Sequence, residues 1–180
     1  YTFITEAGDN VIVQLKYDQL QDAINLINNN PDSRRIIVSA WNPGKIDLAS
    51  LPACHSFYQF LPFEKDGVKY LDIALTCRSQ DFLVGTVFNV MQYGVLCHLV
   101  AHLTGRTANK LYWTGNNTHI YENQVELFIN EHSERSILDN SDLRLNINPV
   151  VKKIDDFKVS DVHITGYDNY LDRIDYPIAV

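Results

Sequence analysis

Cys54 follows Pro52 by two positions and directly precedes His55. Proline there sets the cysteine at the mouth of a strand, where a side chain can face a cleft. As a thiolate it would be a nucleophile, and nearby positive charge favours that form. As a lone buried thiol it would be inert. Arg34-Arg35, after Pro31-Asp32-Ser33, reads either as a solvated charged turn or as a bidentate clamp for phosphate. Arg78-Ser79 joins a guanidinium to a hydroxyl at a strand end and is a further anion site. Asp81 and Asn89 flank Gly85 and read locally as loop and cap residues. The Asn89 amide also offers an acceptor beside a donor, a face that matches N3–H and O4 of uracil and opposes cytosine. His119 and Tyr121 alternate, so on an extended segment both point the same way; the preceding Gly115-Asn116-Asn117 reads as a turn. His98 and His102 lie one helical turn apart, but the glutamate of H-E-x-x-H is missing and the residues between them are apolar, so no metal site is expected.

These residues need elements to hold them. Asp18 can cap a helix to Asn29, with Leu20, Ala23, Ile24 and Ile27 at helical spacing. Arg35 to Trp41 is β-branched and apolar, which predicts a buried strand broken by Asn42-Pro43-Gly44. Cys54 to Phe63 and Val68 to Arg78 read as two strands, and Asp66-Gly67 between them is a hairpin signal. From Phe88 to Leu103 the pattern predicts a long, mostly buried helix that ends at Gly105. A second helix is expected over 120–132. The tail from Asn140 reads as irregular structure with a strand or two. The class is mixed α+β with one sheet.

Composition narrows the function. The chain has 180 residues, enough for one domain with a real core. A net charge of -7 argues against a general nucleic-acid binder, since phosphate backbones call for basic patches. It leaves room for a small anionic ligand held by local arginines. The three cysteines are odd in number and lack C-x-x-C spacing, which points to a reducing cytoplasm rather than to a disulfide framework. No run of about 18 apolar residues is present to span a membrane. A beginning at Tyr-Thr-Phe-Ile suggests a start in mid-protein.

In order along the chain, these pieces resemble the thymidylate synthase family. Asp32 to Pro43, with Ser33-Arg34-Arg35 and Ser39-Ala40-Trp41, is similar to one family segment. Leu51-Pro52-Ala53-Cys54-His55 with Tyr58-Gln59-Phe60 resembles the nucleophile motif. Arg78-Ser79-Gln80-Asp81 through Gly85 to Phe88-Asn89 resembles the nucleotide and folate loop. Trp113 to Tyr121 resembles the ribose-binding segment, and Asp155-Asp156-Phe157 through Gly166-Tyr167 to Ala179-Val180 follows the family's C-terminus. The resemblance covers essentially the whole chain. It departs at Val87, where the family has proline, at Asn117, where aspartate is common, and at Asn169 to Arg173, where a His-Pro stretch is usual.

The resemblance implies reductive methylation of dUMP to dTMP, with 5,10-methylenetetrahydrofolate as co-substrate and no metal. Cys54 would add to C6 of the uracil, and Arg78 and Ser79 would hold the 5'-phosphate and favour the thiolate. Arg34 and Arg35 would reach the partner's active site in a homodimer formed through the sheet face. Asn89 would read the uracil, His119 and Tyr121 would hold the ribose, and Asp81 would accept from the pterin ring. Ala179-Val180 would close over the folate, while His55 and Gln59 support the site. The chain reads as one domain, the C-terminal two-thirds of the family's length. The absent N-terminal third would carry a further phosphate arginine, a glutamate for proton transfer and folate-contacting tryptophans, so this length alone is expected to turn over poorly. A deoxyuridylate hydroxymethylase of the same fold and a non-catalytic nucleotide-binding relative are the alternatives.

Overall fold

The structure is a computed structural model, and it describes residues 2–4, 10–12, 17–133, 135, 143–166 and 174–178. Two short antiparallel strands, β1 (Thr2–Ile4) and β2 (Asn10–Ile12), open the chain. Helix α1 spans Gln19–Asn29, and the Asp18 carboxylate accepts from the Gln21 N–H at 2.9 Å, as its position before the apolar stripe predicts. Ala23, Ile24 and Ile27 of that stripe are buried.

The main sheet has the order β3-β4-β5-β6. Strands β3 (Ile37–Ser39), β4 (His55–Lys65) and β5 (Val68–Asp81) pair antiparallel. The β4–β5 hairpin turns at Asp66 and Gly67 with φ of 53° and 76°, the two left-handed residues of the tight turn that matches strand twist. Helix α2 (Gly85–Leu103) then crosses over, and β6 (Thr107–His119) returns parallel to β5. Residues of both helices join β4 and β5 in a single buried cluster, so both helices pack on one face of the sheet. Leu71, Ile73, Leu75 and Cys77 alternate along β5 toward that side and are almost wholly buried. Each large aliphatic there contributes about 1.5–3 kcal/mol over an exposed position.

Five expectations change in detail. The expected single sheet is accompanied by two separate antiparallel strand pairs, because the strands near the two ends of the chain do not join the four-stranded sheet. The strand over 35–41 is shorter and lies at the sheet edge. Only Ile36 and Val38 face the core side, while Ile37 and Ser39 are exposed, because nothing among the described residues covers the other face. Helix α2 is long but not wholly buried. Tyr93, Cys97, Val100 and Ala101 form one buried stripe, whereas Val87, Phe88, Val90 and Met91 are exposed. Gly115-Asn116-Asn117 is not a turn, because parallel pairing with β5 sets Gly115 opposite Cys77 and Asn117 opposite Ser79 and carries the strand straight through. The second helix is α-helical only over α3 (Glu122–Leu127), and a wider π turn follows over Phe128–His132.

The tail forms an antiparallel pair, β7 (Arg144–Ile147) and β8 (Val162–Thr165), as expected in outline. It is tied to α2 where His102 Nε2 meets the Val151 carbonyl at 2.9 Å. Among the described residues, no helix is long and apolar enough to cross a membrane.

Candidate active site

Register decides which residues meet. His55 begins β4, Arg78 to Asp81 end β5, His119 ends β6, and Gly85 begins α2. Antiparallel pairing sets His55 opposite Cys77, and parallel pairing sets Asp81 opposite His119. The candidate residues other than Arg34, Arg35 and Gln59 that the structure describes therefore gather at one end of the sheet.

Cys54 is half-buried just before β4. Its carbonyl accepts from the Arg78 backbone N–H at 2.9 Å, so the two residues are direct cross-strand neighbours. The Arg78 side chain lies over the same segment. It donates to the carbonyls of Ala53 at 3.0 Å and Pro52 at 2.7 Å, and one N–H points at the Cys54 sulfur at 3.7 Å. Its guanidinium carbon is also 5.8 Å from the Trp41 ring centroid. Arg78, Trp41, Ser39, Ser56 and Phe57 line an open cavity of about 350 Å³. A cation is thus fixed beside the one half-exposed thiol. Cys77 and Cys97 are buried, and desolvation pushes both thiols up, Cys97 to about 12.

His55 faces the other side of the strand, toward α2. Its Nδ1 lies 3.1 Å from the Tyr93 hydroxyl, and the two rings meet edge to face at 5.2 Å. Burial pushes the His55 ring below its ordinary value, and the polar Asn89 side chain opposes that shift. Asn89 and Tyr93 are one turn apart on α2, so both can reach the same ring. Desolvation drives the Tyr93 phenol up to about 12.

Asp81 Oδ1 accepts from the backbone N–H groups of Leu83 and Val84, both at 3.2 Å, which shapes the turn into α2 and leaves Oδ2 for a ligand. Ser79 is half-buried on the same strand. His119 stands beside Asp81, and its ring meets Tyr121 edge to face at 4.9 Å, so the pair shares one side as alternation predicts.

Arg34 and Arg35 are exposed in the turn before β3, apart from this cluster. Gln59 is also apart. A bulge between His55 and Phe57 shifts the register, and Gln59 pairs with Ala74 on the face opposite His55. Ala179 and Val180 lie outside the described residues. Among the described residues, no group of three His, Cys, Asp or Glu could hold a metal ion.

Three further residues belong to the site. Trp41 and Tyr93 have the contacts given above. Gln80 is 2% exposed, and its Oε1 has no hydrogen-bond partner among the described residues. A Cβ on Gly85 would come within 3.1 Å of Gln80 Nε2 and 3.8 Å of Asn89 Nδ2, so a glycine lets these two amides close on the start of α2. The signal for Tyr93 was in the sequence, four positions after Asn89 on a helix. Gln80 gave none, because its burial depends on the turn at Asp81.

The family model for thymidylate synthase matches residues 5–180. The chain therefore belongs to the thymidylate synthase family.

Proposed function

We propose that this member of the thymidylate synthase family catalyses the reductive methylation of dUMP to dTMP with 5,10-methylenetetrahydrofolate. The observation that carries the reading is the Arg78 guanidinium held 3.7 Å from the Cys54 sulfur, at the end of the sheet where Asn89 and His119 also lie. The Cys54 thiolate adds to C6 of the uracil, and the electron pair displaced from the C5–C6 bond makes C5 nucleophilic. Asn89 accepts from N3–H and donates to O4, where negative charge develops. Arg78 and Ser79 hold the 5'-phosphate, while His119 and Tyr121 hold the ribose. Asp81, whose Oδ2 is not engaged in the turn, accepts from the pterin ring of the folate. When bound, methylenetetrahydrofolate supplies the carbon and the hydride.

A homodimer fits the same reading. The sheet face away from the helices exposes Ile37, Phe57, Phe63 and Tyr112, an apolar surface of the kind subunits cover. Arg34 and Arg35, at the β3 edge of that sheet, then reach the partner's site, while His55 supports each centre.

Product analysis tests the reading. Purified protein given dUMP and methylenetetrahydrofolate should yield dTMP and dihydrofolate in equal amounts, and Cys54→Ser should abolish both. A hydroxymethylated nucleotide without dihydrofolate would point instead to water capture by a hydroxymethylase. Unchanged turnover in Cys54→Ser would remove the nucleophile from the mechanism.

A further inference from the structure

Trp41 lies just past the end of β3 and takes no part in the proposed chemistry. Its backbone is tied on both sides. The N–H donates to the Ser56 carbonyl of β4 at 3.1 Å, and the carbonyl accepts from the Ser39 hydroxyl at 3.2 Å. The chain therefore hooks across to β4 two residues from Cys54. This sets the indole against Arg78, whose guanidinium carbon lies over the ring at 5.8 Å from its centroid. Ring and guanidinium both line the open cavity at this end of the sheet. We propose that Trp41 is a positioning residue for Arg78, its ring fixing the plane of the guanidinium so that the nitrogen the protein leaves free is aimed at the nucleotide phosphate. The proposal rests on the reading that Arg78 holds that phosphate.

The N–H groups of Arg78 divide unequally. Nε donates to the Ala53 carbonyl at 3.0 Å and Nη2 to the Pro52 carbonyl at 2.7 Å, which fills one edge of the planar fork. Nη2 also points at the Cys54 sulfur at 3.7 Å. Among the described residues, no hydrogen bond engages Nη1. Its two hydrogens are left for a ligand beside the thiol.

Two bonds along one edge act as a hinge. They hold the guanidinium in place but do not stop its free end from tilting out of plane. A ring against the flat face does stop it, and an indole offers the most attractive face to a cation, whereas an aliphatic side chain offers none. The ring also keeps water from that face, so less solvent screens the charge toward an anion. A guanidinium held in this way loses little freedom when it grips phosphate, and binding is stronger for it. The effect falls on the phosphate and not on the base or the sugar.

Nucleotide and nucleoside separate this role from a structural one. Titration with dUMP and with deoxyuridine, followed by NMR, gives a preference that measures the grip on phosphate. Trp41→Leu should narrow that preference about two- to five-fold, the worth of one cation–π contact. Trp41→Phe keeps a ring face and should restore part of it. Should Trp41→Leu not fold, protein made with tetrafluorotryptophan replaces it, since fluorine nearly keeps the shape of the indole and strips its negative face. That protein should show the same narrowing. The label also enters Trp113, which packs against the core, so an effect through that residue reaches both ligands alike. Equal weakening of dUMP and deoxyuridine, or an unchanged preference, overturns the role of Trp41 alone. An unaltered protein that binds the two ligands equally, or neither, overturns the phosphate reading and this proposal together.

Discussion

The Arg78 guanidinium is anchored by the carbonyls of Pro52 and Ala53 and reaches the Cys54 sulfur at 3.7 Å. One side chain therefore fixes the segment that carries the thiol and places positive charge beside it. Arg78→Ala should slow alkylation of Cys54 by iodoacetamide several-fold, since it removes both the positive charge beside the sulfur and the two hydrogen bonds that hold the segment carrying it. Arg78→Lys should fall between, because lysine keeps the charge but not the fork that holds both carbonyls. Labelling followed by mass spectrometry measures the rate at Cys54. An Arg78→Ala rate equal to that of the unaltered protein would mean that the cation does not activate this sulfur.

Gly115 is a close-approach position in mid-strand. A Cβ there would collide with Thr118 Oγ1 and lie 2.7 Å from the Trp113 ring. The ring belongs to a half-buried indole packed against the core, so it has little freedom to move. Gly115→Ala should destabilise the protein by about 1–3 kcal/mol, the usual range for overpacking. Urea unfolding gives the number, and near-ultraviolet dichroism should show the tryptophan environment altered. A midpoint within error of the unaltered protein would mean that the ring shifts freely.

How far the sequence could be read depended on whether local or distant pairing was in charge. The α1 cap at Asp18 and the Asp66-Gly67 turn are local chemistry, and both stand where the residues put them. The segment around Gly115 is governed by β5, a partner across a nineteen-residue helix, and its glycine and asparagines look like a turn in isolation. The same holds at β3, whose β-branched run suggests burial on both faces although the helices cover only one. Within the site, Cys54, Arg78, Asp81, Asn89 and His119 were legible as types in order. Their meeting at one end of the sheet was not, because register sets it. The bulge after His55 is the plainest case: Gln59 sits four residues on, and no feature of that spacing announces the change of face.

Asp72 is a buried carboxylate that holds another irregularity in place. The β5–β6 register slips between Leu71 and Ile73, and Asp72 Oδ1 accepts from Asn109 Nδ2 at 2.8 Å and from the Lys110 N–H at 2.9 Å across the gap. Asp72→Ala leaves both donors without this partner and should cost about 2–3 kcal/mol. Asp72→Asn keeps an acceptor oxygen and should cost less than half of that. Denaturant titration of the two variants checks the order. Equal losses would show that charge, rather than acceptor geometry, stabilises the bulge.

Buried titratable groups should narrow the pH range of stability from both sides. His55 is held below its ordinary value of 6.5, chiefly by desolvation. As pH falls below about 6.5 the unfolded chain binds a proton that folded His55 resists, so stability drops between there and the depressed folded value. Cys97 behaves in the opposite sense. Its thiol is pushed from 9.0 to about 12, chiefly by burial, so the unfolded chain loses a proton first as pH rises. Stability should decline from about pH 9 toward 12, by at most about 1.4 kcal/mol per pH unit for this group. Thermal unfolding across the range should show both limbs. His55→Gln should flatten the acid limb and Cys97→Ala the alkaline one, each leaving the other in place. An alkaline limb unchanged in Cys97→Ala would assign that loss to the tyrosines, with Tyr93, also raised to about 12, the first to replace by phenylalanine.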